Sequence, residues 1–199
     1  MPPETRSSAE STSPEPGGSE EISRRTIHKG RKFDFEMVNV RRRDGKTIER
    51  EVVRHPGAVL IVPILADGRV VVIRNYRVAV GVRLVEFPAG TLEHGEDPAS
   101  CAARELIEET GYKAATLAPL GWFHTTPGLT DEKMYAFAAL GLEHVGQHLE
   151  EDEDIQVEQI SGAEALAMLG TGSASRLGTW RDGKSMVAVI LAQRAGYLK

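Results

Sequence analysis

The first half of the chain reads as short strands joined by tight turns. In residues 32–55, two partly apolar runs flank an Asp-Gly dipeptide at 44–45, which is typical of hairpin turns. Residues 57–77 repeat this arrangement around a second Asp-Gly dipeptide at 67–68. The runs of this second pair carry hydrophobic residues at consecutive positions, which predicts strands buried on both faces.

One further strand and a well-delimited helix follow. The stretch "RLVEFPAG" predicts a short strand that is ended by Pro88 and Gly90. A helix is predicted over residues 98–110, because Asp97 can cap its first turn and a proline occupies the first helical position. Gly111 suits the left-handed position that commonly ends a helix.

The remainder of the chain predicts three more strands and two helices. The strands are expected near residues 115–124, 132–142 and 155–160. One helix is expected to begin at Ser161, where Glu164 completes a capping box, and the other to span residues 183–195. Because strands precede helices without regular alternation, the order predicts an α/β domain of the α+β or mixed type, not a doubly wound or barrel fold.

Composition restricts the compartment and the class of partner. The net charge is −5, and residues 1–22 hold five acids and one base, so the rest of the chain is nearly neutral. This argues against nucleic-acid binding. No apolar run approaches the roughly 18–20 residues of a membrane span and no apolar leader follows Met1, so a cytoplasmic protein without membrane contact is expected. The tail is rich in Pro, Ser, Gly and Glu, which predicts disorder.

The helix predicted at 98–110 concentrates negative charge on one side. Glu105 lies three positions before Glu108 and four before Glu109, so the three share a stripe. Like charges at this spacing repel one another, and burial strengthens the repulsion. Two interactions could compensate for this repulsion. Arg104 could pair with Glu108, or the carboxylates could bind a divalent cation such as Mg²⁺ or Mn²⁺.

The flanking residues favour the cation. A glycine-bearing loop, "FPAGTLEHGED", leads into the helix, and such loops let backbone groups approach a phosphate closely. The whole spacing resembles the Nudix box, the signature of the Nudix hydrolase family, with one departure at Tyr112. Its seven fixed positions are matched by Gly90, Glu96, Arg104, Glu105, Glu108, Glu109 and Gly111.

The resemblance covers about residues 32–199 and implies a fold and a metal site. The fold would be an α/β/α sandwich around a mixed sheet, and the cofactor would be Mg²⁺, with Mn²⁺ possible. The implied metal ligands are Glu105, Glu109 and the main-chain oxygen of Ala89, and Glu108 is expected to take part in the chemistry.

The same resemblance implies supporting roles around the metal. Gly90 and Glu96 would brace the loop. Arg104 would orient the carboxylates or touch a substrate phosphate.

Segments outside the box are similar to the ADP-ribose pyrophosphatase subfamily. Pro127, followed by Gly128, lies 15 residues beyond Tyr112, where that subfamily carries a proline. The stretches "NYR" and "VEFPAG" resemble the substrate cleft of those enzymes, which implies that Arg77 and Glu86 serve the substrate. An ordinary loop proline, a surface arginine and a structural salt bridge are the alternative explanations.

A further segment, "LEEDEDIQV" at 149–157, is similar to the subfamily's mobile acidic loop. By that similarity Glu151 would be the base that activates water and Glu153 would reach a metal. The register leaves Glu150, Glu151 and Glu153 open as the base, and a cluster of acids in a loop can also simply be solvated.

The N-terminal strands imply assembly, because ADP-ribose pyrophosphatases are dimers whose N-terminal strands pack or exchange across the two-fold axis. The chain then divides into a disordered tail (1–22), a strand arm for dimerisation (23–56) and a Nudix hydrolase domain (57–199). Phe33 and Phe35 in the arm could stack on adenine, although core packing is the commoner role.

These resemblances imply a homodimeric, Mg²⁺-dependent enzyme that hydrolyses ADP-ribose to AMP and ribose 5-phosphate. One alternative is the same chemistry on another nucleoside diphosphate sugar, such as GDP-mannose. The other is a non-catalytic nucleotide-binding Nudix domain, which requires a damaged box, whereas every fixed position here is intact.

Overall fold

The structure is a computed structural model that describes residues 19–149, 154–170 and 175–199. The chain divides into two compact units, Met1–Val53 and Arg54–Lys199. No helix within the described ranges is long and apolar enough to cross a membrane.

The first unit is built around a three-stranded sheet. Its strands lie side by side in the order β1-β2-β3, and β1 pairs antiparallel with β2. The bounds are β1 (Glu20–Lys29), β2 (Asp34–Arg41) and β3 (Thr47–Arg54). The hairpin predicted around residues 44–45 is therefore confirmed.

The sequence did not predict β1. Its ten residues, "EEISRRTIHK", show no apolar alternation, and all of them are exposed. Backbone pairing holds the strand, aided by Arg24, which bonds Glu21 at 2.6 Å and Glu36 at 3.0 Å. The strand begins at Glu20, three residues inside the segment whose composition predicted disorder, while residues 1–18 lie outside the described part.

The described residues of the second unit form two sheets and three helices. A mixed sheet has the order β7-β4-β9-β8 with β4 parallel to β9, and an antiparallel sheet has the order β10-β5-β6. The elements are β4 (Ala58–Pro63), β5 (Arg69–Arg77), β6 (Val82–Glu86), β7 (Ala89–Thr91), α1 (Pro98–Thr110), β8 (Tyr112–His124), β9 (Lys133–His144), β10 (Ile155–Ser161), α2 (Gly162–Ala167) and α3 (Gly183–Arg194).

Helices cover both faces of β4, as the predicted α/β/α sandwich requires. Val59 and Ile61 pack in one buried cluster with Leu106 of α1. Leu60 and Val62 pack in a second cluster that includes Val189 of α3. Alternate side chains of a strand point to opposite faces, so the consecutive apolar run of β4 serves two cores.

Two details of the predicted strands were wrong. The turn at 67–68 forms, with the Leu65 N–H donating to the Arg69 carbonyl at 2.8 Å, but β4 and β5 do not make a hairpin. They enter different sheets because β4 pairs with β9 and β5 pairs with β10. Likewise, "RLVEFPAG" forms two strands, β6 and β7, which also belong to different sheets.

The predicted helix starts and the glycine that ends α1 were confirmed, while the Glu164 side chain of the predicted capping box accepts the Ser175 hydroxyl at 2.6 Å. The Asp97 carboxylate accepts the N–H groups of Ala99 and Ser100 at the start of α1, and Gly111 ends the helix at φ 74°. The Ser161 hydroxyl accepts the N–H of Glu164 at the start of α2. The third helix begins at Gly183 as predicted, with Asp182 as its cap.

Candidate active site

Helix α1 presents buried carboxylates toward the mixed sheet. Glu105 is 9% exposed and Glu109 is 3% exposed, although both are ionisable. Cys101 and Leu106 on the same helix are completely buried in the cluster beneath β4. The apolar side of α1 therefore anchors the helix against the sheet. This packing fixes where the two glutamates lie relative to the sheet.

Arg104 binds three glutamates of the predicted box. Its guanidinium makes a bidentate pair with Glu96 at 3.1 and 3.0 Å, and it bonds Glu105 at 2.7 Å and Glu108 at 2.9 Å. The Arg104 hydrogen bonds, opposed by partial burial, lower the pKa of Glu96 to about 2. The guanidinium thus contacts three of the predicted box carboxylates, while the role predicted for Arg104 stays a prediction.

The loop before α1 touches the two buried glutamates directly. The Ala89 N–H donates to the Glu109 carboxylate at 2.8 Å. A Cβ atom at Gly90 would lie 1.8 Å from the carboxyl carbon of Glu105, so a larger residue at this position would displace that carboxylate. The backbone at 89–90 and the two carboxylates therefore form one surface. The bracing role of Gly90 stays a prediction.

The donor set suits a hard divalent cation. Three carboxylates, those of Glu96, Glu105 and Glu108, surround the one guanidinium of Arg104, which leaves an excess of negative charge. The Glu109 carboxylate lies on the same helix and accepts the Ala89 N–H. Hard oxygen donors of this kind are the ligands that Mg²⁺ prefers. In residues 19–149, 154–170 and 175–199, no three or more acidic, histidine or cysteine side chains are already arranged so that they could hold a metal ion.

A cavity of about 600 Å³ opens beside this surface. Its walls come from β4, the loop around β7, the end of β8 and the start of α3. The lining residues are Ala58, Arg77, Ala89, Gly90, Thr91, Phe123, His124, Thr125, Thr126, Glu132, Met134, Asp182, Gly183, Lys184 and Val187. The predicted metal-binding backbone and the predicted substrate residue Arg77 thus share one cavity.

Glu86 lies beneath that cavity wall. Its carboxylate has 0% exposure and receives Arg77 in a bidentate pair at 2.8 and 2.5 Å, together with the Lys184 ammonium. Burial alone would raise the pKa of Glu86, but Arg77 and Lys184 together hold it below its ordinary value. Because it is covered, Glu86 can serve a substrate only through these two cations.

Another carboxylate that lines the cavity is that of Glu132. The Thr125 hydroxyl donates to it, and His55 lies 3.6 Å away. Pro127 and Gly128 lie in the exposed turn that follows Thr126, where the Leu129 N–H donates to the Thr126 carbonyl. These two predicted substrate residues therefore adjoin the cavity without lining it.

Some predicted residues cannot be compared with the structure. Glu151 and Glu153, like Glu150, lie outside the described residues, so the assignment of the base stays a prediction. Phe33 is 48% exposed in the first unit and Phe35 is half-buried there. Their proposed contact with adenine stays a prediction too.

Sequence reasoning missed part of the cavity wall. Neither Lys184 nor Glu132 was singled out from the sequence. A lysine in the first turn of a helix opposes the helix dipole, and this was the signal available for Lys184. Glu132 follows the Pro127 turn by five positions, which gave no comparable signal.

Comparison with known protein families identifies the family to which this chain belongs. The NUDIX domain model matches residues 54–177, which is more than half of the chain. The chain belongs to the Nudix family. All the box residues described above lie inside the matched range.

Curated relatives of this Nudix protein carry several different names. An ADP-ribose pyrophosphatase of Bacillus subtilis (strain 168) is 36% identical over 74% of this chain and 81% of its own length. An ADP-ribose pyrophosphatase of Mycobacterium tuberculosis is 43% identical over 64% of this chain and 62% of its own length. A methanol dehydrogenase activator of Bacillus methanolicus is 36% identical over 89% of this chain and 94% of its own length.

A solved structure and one further relative complete the comparison. The crystal structure of an ADP compounds hydrolase superposes on this Nudix chain with a TM-score of 0.76 and 23% identity, covering 89% of this chain and 94% of that one. This likeness shows the fold. A GDP-mannose pyrophosphatase of Escherichia coli (strain K12 / DH10B) is 34% identical over 76% of this chain and 82% of its own length.

Proposed function

We propose that this Nudix protein hydrolyses the pyrophosphate bond of ADP-ribose and releases AMP and ribose 5-phosphate. The observation that carries the proposal is the meeting of Glu105 and Glu109 with the backbone at 89–90, beside a cavity that Arg77 lines. The two relatives named ADP-ribose pyrophosphatase support ADP-ribose as the substrate.

The proposed cofactor is Mg²⁺, with Mn²⁺ as a possible substitute. Glu105, Glu109 and the main-chain oxygen of Ala89 would hold it, and Glu153 is proposed as a further ligand. When bound, such a cation neutralises phosphate charge and lowers the pKa of a coordinated water. The surplus negative charge around Arg104 supports this donor set.

The chain's own residues have separate tasks in this scheme. Arg104 holds Glu96, Glu105 and Glu108 in place, so that their carboxylates do not reorganise during the reaction. Glu86 fixes the guanidinium of Arg77 at the cavity wall, where it can donate to a substrate phosphate. Burial of these groups strengthens each interaction.

A carboxylate must also take the proton of the attacking water. We propose Glu151 for this task, with Glu150 and Glu153 as the alternatives that the register leaves open. Glu108, half-buried and bonded to Arg104, is proposed to assist. A glutamate that removes this proton typically contributes about 10²–10⁴-fold to the rate.

A GDP-mannose pyrophosphatase among the relatives makes GDP-mannose the second candidate substrate. The two substrates differ in base and sugar but share the diphosphate, so the box and Arg77 would serve either. A panel of nucleoside diphosphate sugars, with products identified by chromatography, separates them. We expect ADP-ribose to give the highest kcat/KM, and faster turnover of GDP-mannose would contradict the proposal.

We further propose a homodimer in which the N-terminal strands pack or exchange across the two-fold axis. Every residue of β1 is exposed, and β1 lies at the edge of its sheet. An exposed edge of this length offers unpaired backbone groups to another strand, which supports pairing between copies.

A cytoplasmic location also stays part of the proposal, and cell fractionation tests it.

A further inference from the structure

The connection between β6 and β7 carries the chain from one sheet to the other. It consists of Phe87 and Pro88, because β6 ends at Glu86 and β7 begins at Ala89. Both residues of the connection are buried, and the registered strand pairs stop on either side of them. Buried backbone groups need hydrogen-bond partners, so each group of this connection requires one of its own.

Three different elements supply those partners. The Phe87 N–H donates to the Ser185 hydroxyl of α3 at 2.9 Å. The carbonyl that follows it, that of the proline, accepts an N–H of β4 at 2.9 Å. The Ala89 N–H donates to the Glu109 carboxylate of α1 at 2.8 Å. Consecutive backbone groups are therefore held by α3, β4 and α1, and Ser185 is the contribution of α3.

Helix α3 does not need the Ser185 hydroxyl for its own stability. The Asp182 carboxylate caps the helix by accepting the Ser185 backbone N–H at 3.1 Å, and an alanine at position 185 would keep that bond. Alanine also has a higher helix propensity than serine. The Ser185 side chain is completely buried, where a hydroxyl is costly unless it is hydrogen-bonded. Its contact with Phe87 is what accounts for the hydroxyl.

The Ser185 hydroxyl uses both its donor and its acceptor capacity. It donates to Asp182 Oδ2 at 2.6 Å and accepts the Phe87 N–H. The Phe87 ring stacks on Trp180 with 5.3 Å between the ring centroids, so its backbone and its side chain are both held. Two positions further along the chain lies Ala89, whose main-chain oxygen is a proposed metal ligand. The cap of α3 thus reaches the proposed metal-binding backbone through one hydroxyl.

We propose that Ser185 is a positioning residue that keeps the main-chain oxygen of Ala89 in place for the metal by holding the Phe87 N–H from the buried side of the connection. This role rests on the proposed function, which makes Ala89 a metal ligand. Groups that orient a metal ligand without binding the metal typically contribute about 10–100-fold to metal affinity or activity.

Binding of Mn²⁺ in the absence of substrate tests this role. Electron paramagnetic resonance measures free Mn²⁺ in titrations of the wild type, Ser185→Ala and Ser185→Thr. We expect the Kd for Mn²⁺ to rise about tenfold in Ser185→Ala, because the backbone before the Ala89 oxygen is no longer held. Ser185→Thr keeps the hydroxyl and should bind Mn²⁺ nearly as the wild type does.

Ser175→Ala is the matched control. The Ser175 hydroxyl also donates to a carboxylate, that of Glu164, at 2.6 Å and also accepts a backbone N–H, that of Leu177, at 3.0 Å. It lies between α2 and α3 in the sequence and makes these bonds away from the connection of β6 and β7. Its removal deletes the same kind of hydroxyl and should leave the Kd for Mn²⁺ at the wild-type value.

Kinetics distinguish positioning of the metal ligand from a general loss of structure. In Ser185→Ala the Mg²⁺ concentration that gives half-maximal AMP release should rise about tenfold, while KM for ADP-ribose at saturating Mg²⁺ stays near the wild-type value. An unchanged Kd for Mn²⁺ in Ser185→Ala, or an equal rise in Ser185→Thr, would overturn the proposal.

Ser185→Cys repeats the comparison should Ser185→Ala fail to fold. Cysteine is close to serine in size, but its thiol is a weak donor and a weak acceptor. We expect its Kd for Mn²⁺ to rise in the same direction as that of Ser185→Ala. Affinity equal to the wild type in Ser185→Cys would assign Ser185 to packing and overturn the proposal.

The Mn²⁺ titrations test the role of Ser185 separately from the proposed function, because they contain no ADP-ribose. If the wild type does not hydrolyse ADP-ribose, the proposed function fails, whereas the difference in Mn²⁺ affinity between Ser185→Ala and the wild type still decides the role of Ser185. If the wild type hydrolyses ADP-ribose and Ser185→Ala binds Mn²⁺ as tightly as the wild type, only the role of Ser185 fails.

Discussion

Gly90 allows the backbone of β7 to touch the Glu105 carboxyl group, and this contact defines the site at the scale of single residues. A methyl group added at Gly90 would collide with the Glu105 carboxyl carbon at 1.8 Å, so that carboxylate would have to move. Neighbouring Glu109 holds the same loop through the Ala89 N–H. The position of Glu105 thus depends on the absence of a side chain at residue 90.

Gly90→Ala should therefore inactivate the enzyme without unfolding it. We expect kcat/KM for ADP-ribose to fall about 100-fold, the size of effect that a misplacement of about 1 Å produces at a reacting centre. Gly170→Ala is the control, because an added Cβ there lies 3.5 Å from its nearest neighbour. Steady-state kinetics at saturating Mg²⁺ measure both. An active Gly90→Ala enzyme would show that Glu105 need not stay where it is.

Helix α1 is the element that carries the site, and the Arg104 pairs tie it to its own preceding loop. Folding lowers the pKa of Glu96 from 4.5 to about 2, chiefly through Arg104. The ionised pair therefore stabilises the folded state above pH 4.5, and this contribution disappears as the pH falls toward 2.

Glu96→Gln removes that pH dependence. We expect the variant to melt below the wild type at pH 7, and the difference in Tm to shrink steadily as the pH falls below 4.5. Calorimetric scans between pH 7 and pH 3 measure the difference. A gap in Tm that stays constant across this range would contradict the pairing with Arg104.

The cap of α1 makes a separate contribution to stability. Asp97→Ala removes the acceptor for the N–H groups of Ala99 and Ser100, and should cost about 1 kcal/mol of unfolding free energy. Asp97→Asn retains an acceptor and should stay within a few tenths of a kcal/mol of the wild type. Urea denaturation compares them, and equal losses in both variants would refute the capping role.

Local sequence signals predict α1, whereas the pairing of the strands depends on partner strands that lie far apart in the sequence. The Asp-Gly turns at 44–45 and 67–68 look alike in the sequence, but only the first joins two neighbouring strands. The second separates β4 from β5 because their partners, β9 and β10, come much later in the sequence. No local pattern contains that information. β1 escaped prediction because its side chains carry no apolar period.

The same contrast between local patterns and contacts distant in sequence applies to the site. The box was predictable because all its members lie within one loop and one helix, at fixed spacing. Lys184 lies 98 residues from its partner Glu86, so only the packing of α3 on the sheet brings them together. Glu132 likewise lines the cavity only because the segment that connects β8 and β9 brings it there.

At the scale of the whole molecule, the proposed assembly depends on the first unit. Sedimentation equilibrium should give twice the 21.7 kDa mass of one chain. Ile27→Glu places a charge on β1 at a side chain that is 44% exposed and should shift the protein toward monomer. Ile190→Glu, at a comparably exposed position on α3, is the control. A wild type that sediments as a monomer at micromolar concentration would refute the dimer.

Metal-dependent hydrolysis through the glutamates of α1 is the central claim for the molecule, and Glu109→Gln tests it most directly. The measurement is AMP release from ADP-ribose with Mg²⁺ and with EDTA, for the wild type, Glu109→Gln and the control Glu143→Gln, whose side chain is exposed on β9. We expect Mg²⁺-dependent AMP release by the wild type and the control, and a loss of at least about 100-fold in Glu109→Gln. Equal rates in wild type and Glu109→Gln, or AMP release that EDTA leaves unchanged, would contradict the claim.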